Sequence, residues 1–138
     1  MSIKIFCDSA EYQTIRKYSK SKIVKGFTTN PSLMRSAGAK NYKNYALKIL
    51  KICGNKPISF EVFSDDINSM IQQAYIINSW GKNVYVKIPV VNTQGKFTGK
   101  AIRELSSKGV KLNITAVYTY EQVKKVFLSL KNIRILFF

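Results

Sequence analysis

The stretch Asn83-Val84-Tyr85-Val86-Lys87-Ile88-Pro89 decides the fold class, because it predicts a short strand that the proline terminates. Side chains alternate between the two faces of a strand. The two valines and Ile88 therefore share one apolar face, while Tyr85 and Lys87 share the other. The apolar face suits packing on helices, and the opposite face carries a lysine close to the carboxyl end of the strand.

Similar apolar runs alternate with amphipathic stretches on both sides of this strand. The other predicted strands are Ile3–Cys7, Ile23–Thr28, Ile58–Phe63, Val110–Thr115 and Asn132–Phe138. The predicted helices are Glu11–Lys20, Lys40–Cys53, Asp65–Trp80, Ala101–Lys108 and a last one that begins at the capping box Thr119-Tyr120-Glu121-Gln122 and ends at Leu130. Asp8 or Ser9 is placed to cap the first helix, and Asn30-Pro31-Ser32 breaks the second strand.

The regular alternation of strands and helices predicts an α/β fold with a parallel sheet and right-handed crossovers. Each strand–helix unit takes roughly 30 residues, as in a (β/α)8 TIM barrel of about 250 residues. An open doubly wound sheet fits this count equally well, and so does a barrel fragment of five units plus a sixth strand. The sequence contains no visible linker or low-complexity segment, so we expect residues 1–138 to form one domain.

The composition excludes several classes of function. The chain of 138 residues is 46% apolar, which is enough for a folded domain with a core. It has no histidine, and Cys7 and Cys53 lack the spacing of a metal site, so we expect no metal and two reduced thiols. No apolar run could span a bilayer and the first residues do not resemble a signal peptide, so we expect a cytoplasmic protein without a membrane partner.

The net charge of +16 raises the question of nucleic-acid binding. The lysines are spread over nearly the whole chain without a dense basic tract, and AT-biased coding by itself would produce this usage. A solvated basic surface is therefore the interpretation that we favour, and we do not expect a nucleic-acid partner. The same field would attract a phosphorylated substrate.

The second face of each predicted strand carries polar side chains at or near its carboxyl end, which is where active sites lie in parallel α/β folds. Such groups must pair with one another or with a ligand, because burying them alone costs several kcal/mol. The polar side chains at these ends are Asp8, Thr28, Asn30, Ser59, Glu61, Lys87, Asn113 and Thr115.

Lys87 is the candidate nucleophile of this set. A lysine held among apolar groups loses solvation, so its pKa falls and the neutral amine can attack a ketone to form a Schiff base. The alternative is a lysine that pairs with Glu61 and does nothing else. Glu61 and Asp8 could each be general acid-base groups, or only a salt-bridge partner and a helix cap. Asn113 and Thr115 could bind hydroxyls or order a water, or only satisfy one another.

Successive motifs of this chain resemble those of the transaldolase family, and most closely its small transaldolase and fructose-6-phosphate aldolase branch. The motifs are Phe6-Cys7-Asp8-Ser9-Ala10, Gly26-Phe27-Thr28-Thr29-Asn30-Pro31-Ser32-Leu33, Ile58-Ser59-Phe60-Glu61-Val62, Val86-Lys87-Ile88-Pro89 and Asn113-Ile114-Thr115-Ala116-Val117. The resemblance extends to about Leu130. It implies a (β/α)8 barrel enzyme of carbohydrate metabolism and the pentose phosphate pathway, which uses a Schiff base and no cofactor. Such enzymes transfer or cleave off a dihydroxyacetone unit of a sugar phosphate.

The resemblance also implies catalytic roles for four residues. Lys87 would form the Schiff base with the substrate. Asp8 would be the acid-base residue that handles the substrate hydroxyl during carbon–carbon cleavage. Glu61, together with Thr115, would order the catalytic water for proton transfer.

Four further residues would bind the substrate by the same resemblance. Asn30 and Asn113 would bind the hydroxyls of the sugar phosphate, and Thr28 and Ser59 would line the same pocket.

The resemblance ends at the carboxyl terminus of the chain. In the family, the sixth strand is followed by a serine and an arginine that hold the substrate, and two more strand–helix units close the barrel. Here Arg134 lies inside the last predicted strand and does not match that arginine. We therefore expect an incomplete barrel that lacks its last units and is marginally stable or forms homo-oligomers. An inactive remnant or a self-associating protein is the alternative function, ahead of a basic nucleic-acid-binding protein.

Overall fold

The computed structural model of the protein describes residues 3–131 and 135–137. The chain divides into two compact units, of which the first comprises Met1–Glu61 and Trp80–Val84 and the second Val62–Ser79 and Tyr85–Phe138. Within the described residues, every helix is too short or too polar to cross a membrane.

The first unit alternates three parallel strands with helices. Its strands are β1 (Ile5–Asp8), β2 (Val24–Thr28) and β3 (Ile58–Glu61), and its helices are α1 (Tyr12–Ser19), α2 (Pro31–Ser36) and α3 (Tyr42–Cys53). Strand β2 pairs with β1 on one side and with β3 on the other, and both pairings are parallel. Each strand is followed along the chain by a helix, as the alternation of patterns predicts.

The second unit continues the same alternation. Its elements are α4 (Ile67–Asn78), β4 (Val84–Pro89), α5 (Gly99–Ser107), β5 (Leu112–Thr115), α6 (Tyr120–Ser129) and β6 (Ile135–Phe137), with Val84 counted in the first unit. Strand β5 pairs in parallel with β4 and with β6. The fold class is therefore α/β, and it is the (β/α)8 type in incomplete form, as the sequence predicts.

The apolar stripe of α4 shows how the amphipathic pattern becomes a core. Five apolar residues of this helix are spaced so that they share one face, and all of them are buried: Ile67, Met70, Ile71, Ala74 and Ile77. Burial of one large aliphatic side chain contributes about 1.5–3 kcal/mol. Packing of this stripe, rather than intrinsic helix propensity, therefore holds α4 in place.

Gly26 of β2 is required by a close contact with its register partner on β1, Phe6. A Cβ atom at position 26 would collide with the ring of Phe6 and would lie 2.7 Å from the carbonyl oxygen of Pro57. Only glycine leaves room for the aromatic ring at this position.

A lysine ammonium closes the turn between α1 and β2. Lys56 Nζ donates to the carbonyl oxygens of Tyr18, Ser21 and Val24, at distances of 3.0 Å to Tyr18 and 2.7 Å to Val24. Tyr18 lies in the last turn of α1, Ser21 follows that helix and Val24 is the first residue of β2, so the ammonium ties the end of the helix to the start of the strand. Lys56 is thus a structural residue of the first unit.

Helix α2 replaces the break that the sequence predicts at Asn30-Pro31-Ser32. Asn30 Oδ1 accepts a 2.8 Å hydrogen bond from the N–H of Leu33, which makes Asn30 the N-cap. Pro31 occupies the first helical position, where its missing N–H costs nothing and its fixed φ fits the helix. The proline therefore ends a strand and begins a helix at the same point.

Two of the capping predictions have different outcomes. The capping box at Thr119 is confirmed, since Thr119 accepts from the N–H of Gln122 and the side chain of Gln122 reaches back to the Thr119 N–H. The cap by Asp8 or Ser9 is wrong, because the N-cap of α1 is Glu11, which makes no side-chain cap hydrogen bond, and the Asp8 carboxylate accepts from Thr28 instead. Ser9 Oγ accepts from the N–H of Glu11 at 3.1 Å, just before α1 begins.

The last strand is shorter than the predicted Asn132–Phe138. Strand β6 covers Ile135–Phe137 and pairs with β5 from Leu112 to Ile114. Residues 132–134 and 138, and Arg134 with them, lie outside the described residues.

Candidate active site

A row of polar side chains crosses the carboxyl ends of the three strands of the first unit. The register pairs Asp8 with Thr28 and Thr28 with Ser59. Side chains at one level of a parallel sheet point to the same face, so these three residues lie side by side. Thr28 Oγ1 donates a 2.6 Å hydrogen bond to Asp8 Oδ1. Thr28 and Ser59 are buried, whereas Asp8 is exposed and its carboxylate faces solvent as well as the threonine.

Glu61 and Asn30 follow this row on β3 and after β2. Glu61 is two residues beyond Ser59 and is half-buried. Its backbone is held by Tyr42 of α3, whose hydroxyl accepts from the Glu61 N–H and donates to the Glu61 carbonyl, both at 3.1 Å. The amide oxygen of Asn30 is used by the helix cap described above, so the amide NH2 is the part of Asn30 that remains for other contacts.

The second unit carries Lys87 and Asn113 side by side. They are register partners on β4 and β5, and Pro89 and Thr115 form the register pair two residues further on. Lys87 and Thr115 are half-buried, and Asn113 is fully buried. The carbonyl of Lys87 accepts from the N–H of Val62 at 3.1 Å. An amine, an amide and a hydroxyl therefore line one face at this end of the second unit.

The opposite face of β4 and β5 is apolar, as alternation requires. Its residues are all buried, and they are Val84, Val86, Ile88, Leu112 and Ile114. Lys87 thus lies on a strand whose backbone is fixed by core packing, and a rigid strand positions a reactive side chain more accurately than a loop does.

The loop after β4 is held together by asparagine and aspartate side chains. Asn92 Oδ1 accepts from the N–H groups of Gln94 and Lys96, and Asp65 accepts from the N–H and the hydroxyl of Thr93 at 2.8 Å each. An antiparallel bridge between Val91 and Phe97 closes the loop. The sequence pattern does not predict this arrangement.

Tyr42 was also missed, because the sequence pattern predicts only a helix over Lys40–Cys53. Burial raises the pKa of the Tyr42 phenol well above its usual range, and the charge of Glu61 raises it further, while hydrogen bonds to the Glu61 backbone and the Thr29 side chain oppose the rise. The phenol therefore keeps its proton near neutral pH. Buried tyrosine hydroxyls usually have a hydrogen-bond partner, so a tyrosine in a predicted helix was the one signal for this contact.

The cysteines are both free thiols. Burial, and then the charge of Asp8, raises the pKa of Cys7, and burial raises that of Cys53. A raised pKa disfavours the reactive thiolate. Within residues 3–131, His, Cys, Asp and Glu side chains form no group of three that could hold a metal ion.

These features define a class of protein: a parallel α/β fold of the (β/α)8 type with a lysine, carboxylates, amides and hydroxyls at the carboxyl ends of its strands. Within that class, the chain belongs to the Transaldolase/Fructose-6-phosphate aldolase family, whose sequence profile matches residues 5–134.

Proteins called probable transaldolases are among the relatives of this chain. The one from Herpetosiphon aurantiacus is 34% identical over 120 residues, which are 87% of this chain and 52% of that protein. The one from Nitrosopumilus maritimus is 37% identical over 120 residues, which are 87% of this chain and 51% of that protein. The chain thus spans about half the length of the curated relatives that it matches.

Proposed function

We propose that this chain carries the Schiff-base chemistry of a transaldolase or a related aldolase, with Lys87 as the nucleophile. The observation that carries the proposal is the position of Lys87, which lies at the carboxyl end of a buried parallel strand beside the buried Asn113. The family match over residues 5–134 and the names of the relatives support the same reaction class.

The reaction begins when the neutral amine of Lys87 attacks the carbonyl carbon of a ketose phosphate. Loss of one water molecule from the resulting carbinolamine gives a protonated imine, which is an electron sink. Asp8 then accepts the proton of the hydroxyl two carbons from the imine carbon. The bond between the carbon that bears this hydroxyl and the carbon next to the imine breaks. Its electron pair forms an enamine, and the hydroxyl-bearing carbon leaves as an aldehyde.

The enamine has two fates, which correspond to the two activities that the resemblance implies: transfer of a dihydroxyacetone unit and its release. It can attack the carbonyl carbon of an acceptor aldose phosphate, whose oxygen takes the proton held by Asp8, and water then hydrolyses the new imine, which releases the product and completes a transfer. Alternatively it takes up a proton and water hydrolyses the imine, which releases dihydroxyacetone and the free amine of Lys87. We propose that Glu61 and Thr115 order the water that moves protons in the formation of the imine, in the protonation of the enamine and in the hydrolysis of the imine.

Substrate binding in this proposal rests on amides and hydroxyls. Asn30 and Asn113 bind the hydroxyls of a sugar phosphate, and Thr28 and Ser59 line the site. Thr28 also holds the Asp8 carboxylate through its 2.6 Å hydrogen bond, which favours one orientation of the general base. The positive charge of the chain raises the local concentration of a phosphorylated ligand.

Borohydride trapping tests the proposal directly. The purified chain is incubated with fructose 6-phosphate and sodium borohydride, and the adduct is located by peptide mass spectrometry. We expect one reduced adduct on Lys87 and none in Lys87→Met. Lys96→Met is the matched control, because Lys96 is an exposed loop lysine of the same unit, and it should retain the adduct. No adduct in a chain shown to be folded by circular dichroism would reject the proposal.

A further inference from the structure

The hydroxyl of Tyr42 occupies an unusual place in the first unit. It hydrogen bonds at 3.1 Å to both the N–H and the carbonyl oxygen of Glu61, the last residue of β3. In a strand, the N–H and carbonyl of one residue point to the same side, where a neighbouring strand normally provides both partners. At Glu61, one side chain from α3 therefore provides the two hydrogen bonds that a neighbouring strand would normally make.

The reason lies in the sequence of the neighbouring strand. The β2–β3 ladder pairs Thr28 with Ser59, and its last rung runs from the Thr29 N–H to the Ser59 carbonyl at 3.0 Å. Two residues further on, Glu61 would pair with Asn30 and its carbonyl would need the N–H of residue 31. That residue is a proline, which has no N–H and begins α2.

Tyr42 therefore compensates for the donor that Pro31 lacks. The ring of Tyr42 packs against the ring of Trp80, with 5.9 Å between the ring centroids. Trp80 in turn packs edge-on against Phe60, with 5.7 Å between the ring centroids. The phenol keeps its proton, as described above, so it can donate to the Glu61 carbonyl while accepting from the Glu61 N–H. Such a clamp fixes the φ and ψ of Glu61, and these angles set the direction of its side chain.

We propose that Tyr42 is a positioning residue, which holds the backbone of Glu61 and thereby orients its carboxylate for proton transfer. The part of this inference that concerns catalysis rests on the proposed function, whereas the clamp on the Glu61 backbone does not. The two parts can be measured separately.

The first experiment measures the clamp by amide hydrogen exchange of Glu61 in the folded protein. We expect Tyr42→Phe to speed exchange of the Glu61 N–H by about ten-fold, since it removes the hydrogen bond that this N–H donates. Tyr45→Phe is the matched control: Tyr45 lies one turn further on the same helix, and its hydroxyl donates to the carbonyls of Ala10 and Ala37. It should leave Glu61 unchanged. Equal exchange rates in Tyr42→Phe and the unsubstituted chain would overturn the inference.

The second experiment measures the rate of adduct formation at Lys87 in single-turnover trapping with fructose 6-phosphate. We expect Tyr42→Phe to lower this rate about ten-fold with little change in the substrate concentration for half-maximal rate. In a Glu61→Gln background, Tyr42→Phe should have no further effect, whereas the effect of Tyr45→Phe should be the same in both backgrounds. A general loss of stability would not produce this pattern.

The outcomes separate the two proposals. Trapping at the unsubstituted rate in Tyr42→Phe would overturn the positioning role and leave the proposed function intact. Absence of trapping in the unsubstituted chain would reject the proposed function and, with it, the catalytic part of this inference. Hydrogen exchange would then still decide whether Tyr42 holds Glu61.

Discussion

The ring of Phe6 fills the space that a side chain at position 26 would occupy. Phe6 and Gly26 are register partners on β1 and β2, and Asp8 and Thr28 form the register pair two residues further on. The same face of the first unit therefore changes from an aromatic contact to a polar row within one step along the strands. A correct register at Phe6 sets the register at Asp8.

Gly26→Ala should destabilise the first unit, because the added Cβ meets both a ring and a backbone carbonyl. Overpacking of this kind costs about 1–3 kcal/mol, and a backbone neighbour favours the upper end of that range. Urea unfolding would measure it. The double variant Phe6→Ala and Gly26→Ala should lose less stability than the sum of its single variants, because the alanine no longer meets a ring. Strict additivity would show that the two positions are not in contact.

Asp8→Asn should separate the formation of the Schiff base from the cleavage of the carbon–carbon bond. The amide has nearly the size of the carboxylate but cannot accept the hydroxyl proton, so cleavage of fructose 6-phosphate should fall by about 10²–10⁴-fold. Borohydride trapping at Lys87 should persist. A variant that loses the adduct together with cleavage would argue that Asp8 acts before the bond breaks. The control Asp66→Asn, at the N-cap of α4, should retain both activities.

Substitutions of Trp80 measure how much stability the packing of its ring against Tyr42 and Phe60 contributes. Among the described residues, its indole N–H is buried without a hydrogen-bond partner. Trp80→Phe removes that group and keeps an aromatic ring, so we expect a change in unfolding free energy of less than about 1.5 kcal/mol. Trp80→Ala removes the contacts with Tyr42 and Phe60 and should cost about 3–5 kcal/mol. Similar losses in both variants would mean that the indole N–H is satisfied in solution.

Alkaline pH should reveal the buried phenol of Tyr42. Its folded-state pKa is raised above that of the unfolded chain, so the stability linked to it is complete below about pH 10 and is lost as the pH rises further. Each phenol that holds its proton only in the folded state contributes a slope of about 1.4 kcal/mol per pH unit. Between pH 10 and 11.5, roughly the range above the ordinary tyrosine pKa, Tyr42→Phe should therefore lose stability less steeply than the unsubstituted chain. Tyr120→Phe, at an exposed position on α6, is the matched control.

The strands of this fold were predictable because the alternation of apolar and polar residues in the sequence matches the alternation of buried and more exposed side chains in the structure. In β4, apolar and polar residues alternate without a break, and the structure buries every second side chain. The stripe of α4 and the capping box of α6 are local patterns of the same kind, in which residues close in sequence determine the structure.

Contacts between distant residues were not predictable in this way. Helix α2 was missed because proline was taken only as a strand breaker, although it also fits the first turn of a helix. The Asp8 cap was wrong because a short aspartate beside a helix start is equally placed to accept from the next strand. The partner of Tyr42 is 19 residues away, and hydrophobic periodicity contains no information about where a phenol hydroxyl points.

The three carbonyls around Lys56 show one way in which this chain accommodates its excess of basic side chains. With 23 basic and 7 acidic side chains, the carboxylates are too few to give each basic group one of its own. Lys56 is instead solvated by the main chain, in the way that a bound inorganic cation would be. The Lys56 ammonium thereby stabilises the fold. Because its N–H groups are used by these carbonyls, lysine-directed reagents should label it more slowly than the exposed lysines around it. A count of formal charges thus gives the net charge of the molecule but not the number of ammonium groups that are open to a ligand from solution.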